Sequence, residues 1–237
     1  MYIVTGDMSK AQTWMRFYQR ISRRPKITQT LEIPIAITEG EEGIRVTKES
    51  REYPKSTAKA SWQAIQKLKK KTGHTEDPLW VKVEPSSTIT ASDIEVEIMN
   101  AAKKGFFADV VVLDYADILL PEVNSRSMDF RHQQNETWKV LRRISQRFHC
   151  CVVTATQTAA SSYKSNIIKK DDFSEDKRKA SHVTGMLGIN QTSNEKVDGI
   201  YRLNWVVLRD GVWADHQTVT TAGNLALACP CMVSASF

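Results

Sequence analysis

The chain of 237 residues is long enough to bury a full hydrophobic core in one large α/β domain or two small ones, and its hydrophobic content of 41% and charged content of 25% are ordinary for a globular protein. Its 33 Lys and Arg residues against 27 Asp and Glu residues give a formal charge of +6, which suits a nucleic-acid partner but is shared by many proteins without one. Since no run of 18 apolar residues exists and the N-terminus lacks the pattern of a signal peptide, we expect no membrane span and a cytoplasmic protein.

The four cysteines favour a reducing compartment, and the first two of them are predicted to be small buried side chains. Cys150 and Cys151 open an apolar run, and Cys229 and Cys231 lie near the C-terminus. None belongs to a C-x-x-C pair, and no histidine stands at zinc-binding spacing from them. This pattern excludes a zinc-ribbon site and a disulfide-based scaffold.

The first third of the chain predicts a strand, two helices and a hairpin between the helices. Residues 1–4 are apolar and indicate a buried strand, and the apolar spacing predicts a helix over 8–23 that Pro25 ends. Alternating segments predict a hairpin-like insertion at about 27–53. Residues 56–72 again show helical spacing.

Strands and helices then alternate along the rest of the chain. Ser92-Asp93-Ile94-Glu95 fits a capping box that opens a helix ending at Gly105, and residues 121–133 are polar and predict a loop. The remaining predicted elements are strands at 79–83, 110–114 and 150–155, a helix at 135–148, a polar loop at 159–180, strands at about 183–190 and 200–208, and an apolar stretch at 225–229.

This order of elements predicts the fold class. Strands that alternate with helices favour an α/β fold with a mostly parallel twisted sheet and helices on both faces. The last strands lack long intervening helices, so we expect the sheet to finish with antiparallel strands at its C-terminal end. We expect residues 1–237 to form a single domain.

Asp114 is the first candidate for chemistry, because Val110-Val111-Val112-Leu113 is an apolar run that ends abruptly in this carboxylate. The carboxyl ends of strands are where open α/β sheets bind ligands, and in nucleotide-hydrolysing folds an acid at this position holds magnesium. The alternative is an ordinary acid that caps the turn after the strand.

Gln157 and Asp7 occupy equivalent positions after two other predicted strands. An amide at the position of Gln157 can contact a γ-phosphate, and a carboxylate at the position of Asp7 can activate the attacking water. The alternatives are a loop residue for Gln157 and a helix N-cap for Asp7. Three polar groups at the ends of three parallel strands would converge, so the set carries more weight than any member.

Arg209 and two basic regions complete the candidate residues. Arg209 follows a predicted strand in Leu208-Arg209-Asp210-Gly211, where it could reach a neighbouring subunit or simply pair with Asp210. Cations of the loop at 161–180 could contact a nucleic-acid backbone, although the acids of that loop allow a solvated mixed-charge loop equally well. The predicted DNA-binding residues are Lys164, Lys169, Lys170, Lys177, Arg178 and Lys179, with Arg126 and Arg131 as a weaker set.

Four segments, read in order, match the pattern of one family. They are Thr5-Gly6-Asp7-Met8-Ser9 with Gln12 and Arg16, Leu113-Asp114-Tyr115-Ala116-Asp117, Thr154-Ala155-Thr156-Gln157, and Leu208-Arg209-Asp210-Gly211. These segments resemble the catalytic-glutamate segment, the Walker B motif, the sensor-glutamine strand and the arginine-finger motif of the RecA-like ATPase domain of DnaB-type replicative helicases, especially the phage versions.

The resemblance implies an ATP-driven helicase that acts in DNA replication. It implies ATP and Mg²⁺ as cofactors, single-stranded DNA as a partner, a homo-oligomeric ring that is a hexamer in the family, and a helicase loader or primase as a further partner, with no membrane contact. By this resemblance Asp7 is the catalytic base, Asp114 positions the magnesium, Gln157 contacts the γ-phosphate, and Arg209 completes the site of a neighbour.

The chain departs from the family pattern at three points. Asp7 replaces a glutamate, Val207 stands where the family has a lysine, and no glycine precedes a lysine anywhere, so the Walker A motif G-x-x-x-x-G-K-S/T is missing. The chain is then either a part of a longer helicase, which we favour, or a shortened protein that has lost hydrolysis. In both cases we expect this polypeptide alone to lack ATPase activity.

Two other functions stay open on the sequence. A nonenzymatic DNA-binding or ring-assembly module would explain the missing phosphate loop. A RecA-like recombinase would share the sheet and the acid at its edge, but the segment around Asp7 and the turn at Arg209 favour the helicase.

Overall fold

A computed structural model describes residues 2–5, 8–40, 43–73, 79–158, 166–172, 178–214 and 217–236. For residues 2–5 it describes the backbone alone. The helices are α1 (Lys10–Ser22), α2 (Ala58–Thr72), α3 (Ala91–Lys103), α4 (Phe130–Phe148), α5 (Lys179–His182) and α6 (Ser193–Asp198). The strands are β1 (Tyr2–Thr5), β2 (Gln29–Gly40), β3 (Gly43–Tyr53), β4 (Trp80–Val83), β5 (Val110–Asp114), β6 (Cys151–Thr154), β7 (Gly185–Asn190), β8 (Ile200–Leu208), β9 (Thr218–Asn224) and β10 (Cys229–Ser236).

The chain divides into two compact units, which are described separately. The first unit takes residues 1–13, 76–160 and 173–183, and the second takes residues 14–75, 161–172 and 184–237. The expectation of one domain over the whole chain stays a prediction.

The first unit is built on a parallel sheet with the strand order β4-β1-β5-β6. β1 pairs in parallel with both β4 and β5, and β5 pairs in parallel with β6. The apolar runs of the sequence therefore form the parallel sheet that their composition predicts. Because parallel strands run in one direction, all of them end at the same edge of this sheet.

The core of the first unit lies between β5 and the helices α3 and α4. Val111 and Leu113 point from one face of β5 into a cluster with Ile94 and Ile98 of α3 and with α4, whose Ile144 is fully buried. Burial of a side chain of this size contributes about 1.5–3 kcal/mol. Helices on the other face of the sheet stay a prediction.

The capping box predicted at Ser92–Glu95 is wrong. The N-cap of α3 is Thr90, whose hydroxyl accepts the amide of Asp93, while the carboxylate of Asp93 accepts the amide of Thr90. Ser92 donates its amide and its hydroxyl to the buried Glu122 instead. Residues 90–93 and residues 92–95 both fit the sequence pattern of a capping box. The position at which the first helical turn begins decides which of them forms it.

Glu95, which the sequence pattern assigned to the cap, is a buried ion-pair partner that joins α3 to α4. Its carboxylate accepts a hydrogen bond of 2.8 Å from Arg143 and another of 2.8 Å from Arg147. Burial by itself would raise the pKa of Glu95, but the hydrogen bonds and charges of the two arginines outweigh it and hold the pKa below its usual value.

The polar loop predicted at 121–133 is only partly correct. Asp129 caps α4 through the amide of His132, so the helix begins at Phe130, five residues before the predicted start. Short 3-10 turns at Ala116–Ile118 and Val123–Ser125 fill the rest of the connection.

The second unit contains the predicted hairpin and a sheet of its own. β2 and β3 pair antiparallel from Gln29↔Tyr53 to Gly40↔Gly43. β7 to β10 form an antiparallel sheet with the order β10-β9-β8-β7. The expectation that these strands finish the parallel sheet is therefore wrong, because they pair with each other and not with the described strands of the first unit. No helix in the described part of the chain is long and apolar enough to cross a membrane.

We predict that Glu95→Gln lowers the free energy of unfolding by about 1.5–3 kcal/mol at neutral pH, because it removes charge-assisted hydrogen bonds from a buried acceptor. Both arginine side chains are 56% exposed, so the lower end of this range is expected. Urea denaturation measures the difference, and Glu97→Gln on the same helix, in a more exposed pair with Lys82, should change stability by less than about 1 kcal/mol.

The same substitution has a defined pH dependence. Since the folded-state pKa of Glu95 is lowered, its contribution is complete above the ordinary glutamate pKa of about 4.3 and is lost as the pH falls through the folded-state pKa. The stability gap between the wild-type protein and Glu95→Gln should therefore close in acid. A gap that widens below about pH 4 would contradict the assignment.

Candidate functional site

The candidate site is the edge at which β1, β5 and β6 end. Thr5, the last residue of β1, pairs with Asp114, and Leu113 pairs with Thr154 at the end of β6. Asp114 is half-buried, and Gln157 lies exposed three residues beyond β6. The parallel register thus places the segments that carry Asp114 and Gln157 side by side.

Asp7 lies outside the described residues. β1 ends at Thr5, two residues before it, so the chain leaves this strand at the edge that carries Asp114. Its role as a base stays a prediction.

Hydrogen bonds between side chains and backbone join the ends of β5 and β6. The hydroxyl of Thr154 donates to the carbonyl of Leu113 at 3.0 Å and accepts the amide of Ala116 at 3.0 Å. The amide group of Gln157 lies 3.4 Å from the hydroxyl of Tyr115, which follows Asp114. The candidate sensor and the candidate metal-binding acid are therefore connected through one intervening residue.

A part-buried ionic cluster lies next to this edge. The ammonium of Lys179 donates to the carboxylate of Asp117 at 2.7 Å and to the hydroxyl of Thr156 at 3.0 Å, and that hydroxyl donates to the second oxygen of Asp117 at 2.6 Å. The side chains of Lys179 and Asp117 are only 12% and 17% exposed. The ammonium also lies 5.7 Å from the ring of Trp138 in α4.

This cluster changes the interpretation of Lys179. The sequence placed it among the DNA-binding cations, but its ammonium is paired and largely buried here. Its carboxylate partner also accepts the backbone amide of Gln157 at 3.4 Å, so Lys179 and Asp117 position the candidate sensor segment.

The space beside Asp114 is small. Asp114, Tyr115 and residues 84–87 line a pocket of about 10 Å³, which is roughly the room that one water molecule needs. The Asp114–Tyr115 peptide bond at its wall is cis. A nucleotide does not fit in this pocket, so a nucleotide at this edge would lie outside it.

The described residues hold no cluster of three metal-binding side chains from His, Cys, Asp and Glu. A lone Asp114 still suits Mg²⁺, which keeps several waters and is commonly bound by one or two carboxylates together with substrate phosphates. A zinc or calcium centre built from side chains would need more ligands than the described residues of this edge offer.

The other predicted residues are distributed over both units. Arg126 and Arg131 are exposed in the first unit, near the start of α4, and Arg178 is half-buried just before α5. In the second unit, Lys169 and Lys170 are exposed, and Arg209 lies in the turn after β8, where its amide donates to the carbonyl of Thr184 at 3.0 Å. Lys164 and Lys177 lie outside the described residues.

Asp117, Thr156 and Tyr115 are the members of this site that the sequence did not identify as functional. Each stands within three residues of Asp114 or Gln157, so proximity to a candidate was the available signal. Nothing in the sequence pattern pairs Asp117 with a lysine 62 residues further along the chain.

No protein-family model matches the chain, and no curated protein sequence matches it significantly. Solved structures do share its fold. The structure described as the ATPase domain of G40P matches with a TM-score of 0.63 and 12% identity over 93% of this chain and 70% of its own. A DnaB-like replicative helicase, determined to show its interactions with primase, matches with a TM-score of 0.66 and 12% identity over 93% of this chain.

The chain spans 48% of the length of that DnaB-like helicase. At 12% identity the likeness establishes a fold and leaves the activity open. The expected fold is confirmed to this extent: the chain has the mixed α/β fold of the ATPase domain of DnaB-like replicative helicases.

We predict that Lys179→Met lowers the free energy of unfolding by about 1–3 kcal/mol, because it leaves the part-buried carboxylate of Asp117 without its cation. Thermal or urea denaturation measures the loss. Lys139→Met is the matched control, since Lys139 pairs with Glu136 on the surface with 52% of its side chain exposed, and it should cost less than about 1 kcal/mol.

The double variant Lys179→Met with Asp117→Asn tests whether the two residues act together. The loss in this variant should be clearly smaller than the sum of the two single losses, because neither charge is then left unpaired. Additive losses would show that the pair is not a stabilising unit.

Proposed function

We propose that this chain is the ATPase and motor portion of a DnaB-like replicative DNA helicase, which moves on single-stranded DNA as part of a homo-oligomeric ring. The observation that carries the proposal is the shared edge at which Asp114 and the Gln157 segment meet. The fold of DnaB-like helicase ATPase domains supports it independently.

In this proposal the residues at the sheet edge divide the work of phosphoryl transfer. Asp114 would hold Mg²⁺, and the metal would supply positive charge that stabilises the phosphates during transfer. The amide of Gln157 contacts the γ-phosphate, and its link to Tyr115 keeps it near the metal-binding acid. Asp7 takes the proton of the attacking water.

Arg209 has a separate role in the proposal. It stands in a turn after β8, and an arginine delivered to the site of a neighbouring subunit stabilises the charge of the transferring phosphoryl group. Such a contribution requires a closed ring in which every subunit uses the same surface, and a hexamer satisfies this requirement. The second matched helicase was determined together with its interactions with primase, and we propose a primase or a loader as a further partner.

A second candidate function is a DNA-binding or ring-assembly module without hydrolysis. The observation in its favour is the sequence itself, in which no glycine precedes a lysine, so that the backbone amides and lysine of a Walker A loop are not supplied by these residues. Salt-dependent binding of single-stranded DNA without any ATPase activity, even after a Walker A segment is supplied, would favour this candidate.

We predict that the chain by itself binds MgATP with a Kd above about 1 mM. The reason is that a Walker A loop, which this sequence does not supply, makes most of the hydrogen bonds to the phosphates. Isothermal titration calorimetry with ATP and magnesium measures the affinity, and Asp114→Asn should give the same weak isotherm. Micromolar affinity that Asp114→Asn removes would show that this chain holds nucleotide without a Walker A loop.

We predict that Arg209→Ala lowers turnover by roughly 10³- to 10⁵-fold in a polypeptide completed with a Walker A segment, while nucleotide affinity stays unchanged. A steady-state ATPase assay and a nucleotide-binding titration measure the two effects. Asp210→Asn in the same turn is the matched control and should retain turnover. An equal loss of nucleotide binding in Arg209→Ala would reject the arginine finger.

A further inference from the structure

The second unit contains a cavity that the proposed chemistry does not use. Its volume is about 290 Å³, and it is lined by Ile168, Lys169, Lys170, Trp213 and the β8 residues from Asn204 to Leu208. The lining residues thus include Trp205, Trp213 and two exposed lysines.

The cavity lies along the part of β8 that extends beyond its pairing with β9. β9 begins at Thr218, opposite Asn204, so Trp205 to Leu208 lie beyond the end of that ladder. On the other side Trp205, Val207 and Leu208 pair with β7, and the register shifts at Val206. Lys169, Lys170 and Trp213 line the cavity together with this part of β8.

A pair of buried amide side chains fixes the lysine segment to the sheet. Asn190 accepts the amide of Ile168 at 2.6 Å, and Asn204 donates to the carbonyl of the same residue at 2.9 Å. The two asparagines are each 4% exposed and bond to one another at 2.8 Å. Arg202 adds a third tie by donating to the carbonyl of Asn166 at 2.9 Å.

Small residues in β7 allow this close packing. A Cβ atom on Gly188 would lie 2.6 Å from the side-chain oxygen of Asn204 and 3.2 Å from Ile168, so glycine is required for the segment to approach. A Cβ atom on Gly185 would lie 3.1 Å from the ring of Trp205. The position of the lysines and of the indole is therefore built into the sheet.

The chemistry of the lining suits a base flanked by phosphates. Indole rings stack on nucleobases of any sequence, and lysines in an exposed segment attract the phosphate backbone. Trp205 is 37% exposed, which leaves part of the ring available. The carboxylate of Asp172 accepts the amide of Lys169 at 2.7 Å, which holds the backbone of the lysine segment in place.

We propose that this cavity accepts one unstacked base of a single-stranded nucleic acid, with the flanking phosphates on Lys169 and Lys170. The inference deepens the proposed function, on which it rests, by adding a base-stacking pocket to the backbone contacts. The volume of about 290 Å³ lies just below the ~300–1,000 Å³ of sites for drug-sized ligands, so it suits a single base or nucleoside. Duplex DNA, whose bases stay stacked and paired, does not offer such a group.

The test is a titration of fluorescein-labelled dT12 with the whole chain by fluorescence anisotropy, from about 50 to 200 mM salt. Trp213→Ala should weaken binding roughly 5- to 150-fold at every salt concentration, and Trp213→Phe should restore most of it, because stacking needs the ring alone. Trp62→Ala removes an indole that is 61% exposed on α2 and should leave binding unchanged.

Substitution of the two lysines should change the salt dependence of binding. Lys169→Ala with Lys170→Ala should reduce the slope of log affinity against log salt by about 0.7 for each phosphate that is no longer neutralised, whereas Trp213→Ala should leave this slope unchanged. Lys59→Ala on α2 is the matched control and should not change the slope. Circular dichroism melting checks that every variant is folded.

The same titration with rU12 and with a hairpin duplex identifies the class of nucleic acid. Binding of dT12 or rU12 that depends on Trp213, with weaker duplex binding that does not, supports the pocket and shows which sugar is preferred. No binding at about 50 mM salt, or equal binding by wild-type protein and Trp213→Ala, overturns it. In a further outcome, binding of dT12 depends on Trp213 while the chain completed with a Walker A segment shows no DNA-stimulated ATP hydrolysis. That outcome would reject the proposed motor function and support the base-binding pocket.

Discussion

The parallel alignment of β1, β5 and β6 is the constraint on which the candidate site depends. Backbone hydrogen bonds between neighbouring strands bring residues 5, 114 and 154 to one edge, although the chain separates the first of them from the others by more than a hundred positions. β5 is apolar from Val110 to Leu113, with Val111 and Leu113 buried, and its acid stands where the strand ends. Strand pairing alone therefore brings the polar groups at the strand ends to the same edge, and no direct contact between their side chains is needed.

The edge is then stiffened by charges that take no direct part in the proposed chemistry. Asp117 accepts hydrogen bonds from the ammonium of Lys179 and the hydroxyl of Thr156, so both oxygens of this part-buried carboxylate are satisfied. Lys179 stands 23 residues beyond Thr156 in the chain, so the cluster joins two separate parts of the first unit at this edge. Asp117 binds both Lys179 and the backbone amide of Gln157, so a displacement of Lys179 would act on Gln157 through Asp117.

The second unit is stabilised by interactions that differ from those of the first unit. Its antiparallel strands need only short connections, and the polar groups buried beneath its lysine segment are neutral amides in place of an ion pair. The asparagine pair holds a short segment against β8, next to the part of this strand that extends beyond its pairing with β9. Satisfied buried amides specify one packing arrangement, because an alternative arrangement would leave a polar atom unpaired.

The sequence by itself predicted the strands β1 to β8 and the helices α1 to α4, because apolar periodicity is a local signal. It did not predict β9, β10, α5 or α6, and the apolar stretch that it marked at 225–229 begins with a 3-10 turn between β9 and β10. It placed the cap of α3 two residues late, began α4 too late, and assigned Lys179 to DNA, since each of these depends on how the segment packs. Only the tertiary structure decided that Glu95 pairs with Arg143 and Arg147, that β7 to β10 form a separate sheet, and that Trp213 and Lys169 share one cavity. The physical reason is that strand pairing and the burial of charges depend on which segments pack against each other. A local sequence pattern does not specify the distant segment that a strand or a charge will contact.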